Sequence, residues 1–262
     1  METFVYASEE FQKVLATDAH HIGEVRFLQA IARAGMCALD VGANRGVTTV
    51  ALAREVGRSG CVCAFEPVPE YCEQLRGNLS ANGATNVSAH MLALSDRKGR
   101  IAFHKHGEGS GVTPAEDATN IEVDAITLPE FLATHGIGEV NLINMDCEGS
   151  ELRALDAAAD VLRRDAPRLL CEIHHGCLGE LGQSAADVVN LLEWLDYDVR
   201  PVRVENPRER VDLNDCTHIY ASSRSANDRP EAAVRRAVRI SREATDGNSM
   251  SSQRASVTQG EV

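Results

Sequence analysis

The sequence predicts a doubly wound α/β domain built on a mostly parallel sheet. Five short runs are almost continuously apolar, which is typical of strands covered by helices on both faces. These predicted strands are residues 36–39, 61–65, 87–92, 140–145 and 169–173. Amphipathic stretches follow them and predict helices at residues 46–56, 70–82, 128–135, 150–164 and 185–195. The repeated strand–helix order implies parallel strands joined by right-handed crossovers.

Further elements lie on either side of these repeats and between them. They are a leading helix at 18–34, strands at 100–105 and 121–125, and a closing hairpin at 197–204 and 217–221. Gly35 stands where a residue of positive φ commonly ends a helix. The expected organisation is a helical lead-in at 1–35, one domain at 36–221 and a tail at 222–262.

The tail differs from the rest of the chain in composition. Residues 222–262 contain no aromatic side chain and are rich in Ser, Arg and Ala, which predicts disorder. Within them, residues 230–244 predict one amphipathic helix with Val234, Ala237 and Val238 on one face. A solvated tail is one interpretation and a partner-binding helix is the other. On the first, removal of residues 225–262 leaves folding unchanged.

Composition and charge limit the classes of partner. The chain has 262 residues, with 26 Lys and Arg against 39 Asp and Glu, for a net charge of −13. An acidic surface repels phosphate backbones and anionic lipid, so we expect neither nucleic acid nor membrane as a partner. We expect no secretory signal, because residues 1–10 have no basic head followed by an apolar run, and the eight cysteines form no CxxC pair. We therefore expect a reduced, cytoplasmic protein.

The first candidate site follows the first predicted strand. The turn reads Asp40-Val-Gly42-Ala-Asn44-Arg-Gly46, and its glycines let the backbone turn sharply beside a ligand. The spacing is Gly-x-x-x-Gly rather than the Gly-x-Gly-x-x-Gly of dinucleotide sites, and a tight strand–helix turn needs glycine in any case. Glu66 follows the second strand, 20 residues after Gly46. A carboxylate there can accept hydrogen bonds from both ribose hydroxyls of an adenosine-containing ligand. The alternative is that Glu66 is an ordinary loop carboxylate in contact with solvent.

A second constellation follows the fourth and fifth strands. Asp146 leaves the fourth strand, and alternation places Glu172 and His174 on one face at the end of the fifth. Ligands of such sheets lie at this edge, so the three side chains are candidates to take a proton from an oxygen nucleophile. We favour His174 as the base because imidazole titrates near neutral pH. The same trio is an alternative site for a divalent metal, which the spacing does not favour.

Neighbouring residues have simpler interpretations. Glu148 and Glu151 are acids at a helix N-terminus, where the helix dipole stabilises negative charge. His175 is interpreted as a surface or core histidine. The glycine-rich residues 107–118 are either a mobile lid or an ordinary surface loop.

Taken together and in order, these motifs resemble the FkbM family of S-adenosylmethionine-dependent methyltransferases. The resemblance covers about residues 36–200 and rests on DVGANRG, FEPVP, LRGNLSANG, ALSD, INMDCEGSE and LLCEIHH. It implies a class I methyltransferase, Rossmann-like fold whose seven-stranded sheet ends in an antiparallel strand. It further implies a cofactor site. In that site Asp40, Gly42, Asn44 and Gly46 line the methionine part, Glu66 holds the ribose, and residues 93–96, including Ser95, lie along the adenine.

The resemblance implies O-methylation of a hydroxyl on a sugar or secondary-metabolite acceptor. One departure is Asn144, since relatives commonly have Lys two residues before this Asp; Asn cannot exchange a proton at neutral pH. Two alternatives stay open: a non-catalytic S-adenosylmethionine-binding sensor or scaffold, and a nicotinamide-dependent oxidoreductase. The sequence leaves the acceptor and the oligomeric state undetermined.

Overall fold

A seven-stranded sheet forms the centre of the molecule. The structure is a computed structural model that describes residue 12 and residues 17–114, 117–225 and 230–240. The strands are β1 (Cys37–Val41), β2 (Cys61–Phe65), β3 (Val87–His90), β4 (Ala93–Leu94), β5 (Gly99–Lys105), β6 (Thr119–Ile126), β7 (Leu142–Met145), β8 (Arg168–Glu172), β9 (Tyr197–Val202) and β10 (His218–Ser223). The helices are α1 (Ala19–Ile31), α2 (Val47–Val56), α3 (Pro69–Ala81), α4 (Leu128–His135), α5 (Glu151–Ala157), α6 (Ala159–Asp165), α7 (His175–Glu180), α8 (Ala185–Trp194) and α9 (230–240).

The topology of the sheet confirms the predicted doubly wound fold. The strand order is β3-β2-β1-β7-β8-β10-β9. β10 runs antiparallel to both of its neighbours, while the pairs among β3, β2, β1, β7 and β8 are parallel. The chain reverses its direction of winding at β1, so the crevice at the carboxyl ends of β1 and β7 is where such a sheet binds ligands. Both strands are buried, as their continuous apolar runs predict.

A small second sheet covers one end of this crevice. Its order is β4-β6-β5, in which β5 and β6 form an antiparallel pair and β4 runs parallel to β6. The predicted strand at 87–92 is therefore divided, because the chain leaves the main sheet after His90 and enters the small sheet at Ala93. The structure also divides the predicted helix at 150–164, which breaks at Ala158. Nothing in the sequence marks that break, since alanine is the best helix former.

Helix α9 packs onto the body of the domain, contrary to the expectation of a dispensable tail. Ala233 and Ala237 are fully buried and Val234 nearly so, in one cluster with Phe27 of α1 and Tyr220 of β10. The buried face is the predicted apolar face. Residues 241–262 lie outside the described residues, and the division of the chain at 35 and 221 stays a prediction.

Substitution of Val234 tests this docking. We expect Val234→Asp to lower the melting temperature by about 5–12 °C. Burial of valine stabilises by roughly 1.5–3 kcal/mol, an aspartate there also loses its hydration, and each kcal/mol shifts a domain of this size by about 2–4 °C. Thermal unfolding followed by circular dichroism measures the shift. Arg235→Asp places the same side chain on the exposed face and should have little effect; equal melting temperatures for the two variants would contradict docking.

Candidate active site

The turn between β1 and α2 adopts the conformation that its glycines permit. Gly42 and Gly46 have φ of 84° and 92°, and Asn44 has φ of 46°, all in the left-handed region. A Cβ atom on Gly42 would lie 1.6 Å from the backbone oxygen of Asp146. Glycine at position 42 therefore lets the ends of β1 and β7 meet, which forms the floor of the site.

Asp40 supports this turn from behind and does not line a cleft. Its side chain is 0% exposed and accepts hydrogen bonds from Thr48 Oγ1 (2.9 Å), from Asn144 Nδ2 (3.0 Å) and from the Thr49 hydroxyl. Burial raises the pKa of Asp40, and these three donors oppose that shift. Asp40 thus fixes the first turn of α2 against β1 and β7. Gly46 also lies outside the cleft linings, where it begins α2 against Leu75.

A cleft of about 520 Å³ opens at the carboxyl ends of β1, β2 and β7. This volume includes space that is open to solvent, and we call the cleft the larger cleft. It is lined by Val41, Gly42, Asn44, Phe65, Glu66, Pro67, Tyr71, Leu92, Ala93, Leu94, Phe103, Ser110, Asp146, Cys147, Glu148 and Ser150. Three of these residues are carboxylic acids and none is basic.

Glu66 projects into the larger cleft at the end of β2. Its Oε2 accepts the Asn44 N–H (2.9 Å) and its Oε1 accepts the Val68 N–H (2.7 Å). Burial, together with the charge of Asp40, raises the pKa of Glu66 to about 7, against the two backbone donors. The carboxylate is thus oriented by the same turn that carries Gly42, and each oxygen retains a further lone pair for a ligand.

The predicted adenine segment borders the cleft with its apolar residues. Leu92, Ala93 and Leu94 line the larger cleft, whereas Ser95 does not. The Ser95 N–H donates to the Ile126 carbonyl (3.0 Å), and its hydroxyl donates to Asp96 Oδ1 (3.1 Å). Ser95 therefore anchors the segment to the small sheet.

Three aromatic side chains in the cleft wall were not predicted as site residues. They are Phe65, Tyr71 and Phe103, from β2, α3 and β5. Each lies inside an element whose pattern indicates ordinary core, so the sequence carries no separate signal for them.

The glycine-rich segment also reaches the cleft. Ser110 is part of the lining, and a Cβ on Gly111 would lie 2.6 Å from the backbone oxygen of Glu148. The segment is held by backbone hydrogen bonds between Gly111 and His104 (2.7 and 3.1 Å). This part of residues 107–118 packs beside Glu148; residues 115 and 116 lie outside the described residues.

A second cleft, of about 450 Å³ when space open to solvent is included, adjoins the glycine turn on the other side. Glu24, a residue of α1 without a sequence signal, lines it beside Asn144. Asn144 Nδ2 donates to Asp40 Oδ1 (3.0 Å) and approaches Glu24 Oε1 (3.4 Å). Burial and the charges of Glu172 and Asp40 raise the pKa of Glu24 to about 8. Asn144 therefore stands between two buried acids and donates to both of them.

The structure brings Asp146, Glu172 and His174 together, as predicted. His174 Nε2 lies 3.4 Å from Asp146 Oδ1, 3.4 Å from Glu148 Oε2 and 3.9 Å from Glu172 Oε1. On its other side, His174 Nδ1–H donates to Glu151 Oε1 (2.7 Å). We call these five residues the His174 cluster.

This arrangement disfavours His174 as a base at neutral pH. Burial acts to lower the pKa of His174, but the hydrogen bond to Glu151 and the charges of Asp146 and Glu148 outweigh it and raise the pKa to about 10. An imidazole that already holds its proton cannot accept another. The expectation that His174 titrates near its ordinary value does not fit this geometry, which favours a carboxylate as proton acceptor.

Glu151, a member of the cluster, and His175, a neighbour of it, also make structural contacts. Glu151 is fully buried in the first turn of α5, where its Oε1 also accepts the Gly149 N–H (3.1 Å). His175 begins α7, and its Nε2 contacts the Cys216 carbonyl oxygen (3.1 Å). The glycines of α7 hide this helix from sequence patterns, because each disfavours a helix by about 1 kcal/mol.

Sheet order, the position of the antiparallel strand and a ligand cleft at the β1 turn together define the class I methyltransferase type of α/β fold. A family model for the methyltransferase FkbM domain matches residues 40–199, which is more than half of the chain. The chain therefore belongs to the FkbM family of S-adenosylmethionine-dependent methyltransferases.

Individual proteins are similar over more limited stretches. A protein-L-isoaspartate O-methyltransferase from Caenorhabditis elegans is 31% identical over 83 residues, which is 32% of this chain and only 37% of that protein. The crystal structure of an FkbM methyltransferase from Methylobacillus flagellatus KT shows 16% identity and a TM-score of 0.49, over 81% of this chain and 60% of that one. An S-adenosylmethionine-dependent methyltransferase from Aquifex aeolicus shows 18% identity and a TM-score of 0.45, over 80% of this chain and 90% of that one.

Two further findings bear on the expected environment of the protein. Among the described residues, no helix has the length and apolar character needed to cross a bilayer. All eight cysteines lie within the described residues and are free thiols. The cytoplasmic location stays a prediction.

Proposed function

We propose that this protein transfers the methyl group of S-adenosylmethionine to a hydroxyl oxygen of a small-molecule acceptor. The observation that carries the proposal is the position of Asp146 and Glu148. Both line the larger cleft, and both belong to the His174 cluster. A cofactor cleft and a group of proton acceptors therefore share one wall.

The residues of the larger cleft fit the proposed cofactor. When bound, S-adenosylmethionine supplies an electrophilic methyl group on a cationic sulfonium. Glu66, Asp146 and Glu148 favour a positive charge, and the lining lacks the basic side chains that a pyrophosphate would need. Glu66 would accept hydrogen bonds from the ribose hydroxyls, while Leu92 and Leu94 would pack against the adenine ring.

On the acceptor side, we assign proton removal to Asp146. Burial and the charge of Glu172 raise the pKa of Asp146 well above its usual range, so its ionised form is a stronger base than an exposed aspartate. Its Oδ1 atom is buried and makes no hydrogen bond within the described residues. The residue lines both clefts, so an acceptor oxygen held beside it also lies near the glycine turn. His174 and Glu148 then orient the acceptor, and the proton that Asp146 removes stays among the carboxylates of the His174 cluster.

A sugar or another hydroxylated metabolite suits this site better than a macromolecule does. The carboxylates at the cleft accept hydrogen bonds from hydroxyl groups, and their negative charge repels phosphate. Neither nucleic acid nor membrane is part of the proposal. The Caenorhabditis elegans relative is named as an O-methyltransferase, which supports the choice of oxygen over nitrogen; its named substrate is a protein, so it does not support the choice of a small molecule.

Turnover tests the proposal directly. We expect release of S-adenosylhomocysteine that depends on an added hydroxylated acceptor, together with a methylated product in which an O-methyl group is identified by mass spectrometry. Screening should compare sugars and polyketide-type alcohols with matched amines. Cofactor binding without turnover on any acceptor would instead indicate the non-catalytic sensor or scaffold, and methylation of the amines alone would contradict the assignment to oxygen.

The ionisation of Glu66 predicts how cofactor affinity depends on pH. The pKa of Glu66 in the ligand-free protein is raised to about 7, so the carboxyl group is protonated below that pH. Its proton must then be released before the cofactor binds, and the free-energy cost of that release disappears as the pH rises through 7. Ribose hydroxyls donate to the ionised form. We therefore expect the affinity for S-adenosylhomocysteine to rise about fivefold to tenfold from pH 6 to pH 8, measured by calorimetry.

Glu66→Gln is the matched control for this pH dependence. The amide keeps the size of the side chain and does not titrate, so the rise between pH 6 and pH 8 should disappear. An equal rise in the wild type and in Glu66→Gln would show that another group titrates.

A further inference from the structure

A second cluster, next to the candidate active site, joins three different elements. His20 lies at the start of α1, Glu172 at the end of β8 and His218 at the start of β10. Glu172 and His218 are directly opposite in the antiparallel pairing of β8 with β10, so their side chains share one face of the sheet. His20 lies over this pair, with its ring centroid 5.3 Å from that of His218. We call these three residues the His218 cluster.

We propose that the His218 cluster binds a divalent transition-metal ion through His20 Nε2, the Glu172 carboxylate and His218 Nε2. Glu172 Oε1 lies 3.4 Å from His20 Nε2, and Glu172 Oε2 lies 3.8 Å from His218 Nε2. One atom from each residue falls within 4.8 Å of the other two. Tetrahedral coordination at about 2.0–2.2 Å places ligand atoms roughly 3.3–3.6 Å apart, so small side-chain movements complete the site.

The Nδ1 atom of each imidazole already has a hydrogen-bond partner. His20 Nδ1 lies 2.7 Å from Glu205 Oε1, and His218 Nδ1 lies 3.1 Å from Thr217 Oγ1. The metal ion would displace the proton that His20 Nε2 shares with Glu172; each imidazole then keeps its proton on Nδ1 and presents the Nε2 lone pair, and both Nε2 atoms face Glu172. A histidine bound to a metal commonly has its other nitrogen held by a carboxylate or another oxygen in this way.

His218 supplies an independent indication of a missing ligand. Its side chain is fully buried, yet its Nε2 atom has no hydrogen-bond partner among the residues that the structure describes. A buried polar atom without a partner costs about 1–3 kcal/mol. Glu172 does not satisfy it, because 3.8 Å is too long for a hydrogen bond. A cation between the three residues would satisfy it.

The ligand set indicates the class of metal. Two imidazoles and one carboxylate suit zinc or another first-row transition ion, whereas magnesium and calcium prefer oxygen ligands alone. Three protein ligands leave at least one coordination position open to water or to an exogenous oxygen. Glu172 also lies 3.9 Å from His174 Nε2, so the ion would border the candidate acceptor site.

Calorimetry on the untagged, chelator-treated full chain tests the site, with Zn²⁺ as the probe and Mg²⁺ for comparison. We expect one equivalent of Zn²⁺ and no detectable Mg²⁺ binding. His20→Ala should weaken Zn²⁺ binding by more than about 100-fold, and Glu205→Gln by about 10–100-fold. His20 is partly exposed, so its variant should fold normally, which circular dichroism checks.

His21→Ala and His174→Ala serve as matched histidine variants in the same titration. His21 neighbours His20 on α1 but does not belong to the cluster, and its variant should retain Zn²⁺ affinity within about threefold. The proposal is overturned if the wild type binds no Zn²⁺. It is overturned as well if His20→Ala binds Zn²⁺ as tightly as the wild type does, since the ion would then be bound elsewhere, for example by cysteine thiols. It is also overturned if His174→Ala alone removes binding, since the ion would then lie in the His174 cluster.

Discussion

Asp146→Asn should reduce kcat by about 10²–10⁴ while leaving the affinity for S-adenosylhomocysteine within a few-fold of the wild type. A positioned proton acceptor contributes a factor of this size, and the amide cannot take a proton. The fold should persist because Asn is nearly isosteric and because the backbone oxygen of Asp146, against which Gly42 packs, is unchanged. Steady-state kinetics with any acceptor found by screening, alongside calorimetry, measures both quantities.

Asp160→Asn is the control for that substitution. Its side chain is 98% exposed in the first turn of α6, so the same chemical change should leave kcat unaltered. A wild-type kcat for Asp146→Asn would contradict the assignment. A loss of cofactor affinity equal to the loss of kcat would show that Asp146 holds the cofactor rather than activating the acceptor.

Gly42→Ala should lower the melting temperature by about 10 °C or more and abolish cofactor binding. The positive φ of Gly42 costs an alanine roughly 1–2 kcal/mol, and a Cβ would lie 1.6 Å from the Asp146 oxygen, which forces β1 and β7 apart. That separation displaces the floor of the larger cleft. Differential scanning calorimetry and a titration with S-adenosylhomocysteine record the two effects.

Gly77→Ala offers a matched glycine variant. Gly77 lies within α3, and a Cβ there would meet no atom within 4 Å. Alanine should stabilise the helix by about 0.5–1 kcal/mol and leave binding unchanged. Similar behaviour of the two variants would show that the turn at Gly42 tolerates a side chain and would remove the structural basis of the cleft.

Most of the fold could be predicted because strands buried on both faces leave continuous apolar runs in the chain. The runs at β1, β2, β7 and β8 appear within one or two residues of their predicted bounds. The break at Ala158 and helix α7 could not be predicted, since neither has a local signal. Helix α9 was identified by its periodicity, but its docking depends on a complementary surface of α1 and β10 that no local pattern describes.

The candidate site shows the same division between local and tertiary information. Glu66, Asp146, Glu172 and His174 were predicted because each lies at the end of a strand or within two residues after it, and strand ends converge by topology. Glu24 and His20 come from α1, whose placement over the sheet is a tertiary property. The roles of Asp40 and His174 were also beyond local reasoning, because burial and neighbouring carboxylates set their hydrogen bonds and protonation.

Calorimetric titration of the full chain with S-adenosylhomocysteine and, separately, with NAD distinguishes a methyltransferase from a nicotinamide-dependent enzyme. We expect S-adenosylhomocysteine to bind and NAD not to bind. Glu66→Ala should weaken binding by about 1.5–3 kcal/mol, the range for hydrogen bonds to a charged group. Glu122→Ala, at an exposed position of β6, should leave it unchanged. Binding of NAD without S-adenosylhomocysteine would contradict the assignment of the cofactor, and equal affinities for the wild type and Glu66→Ala would contradict the role of Glu66.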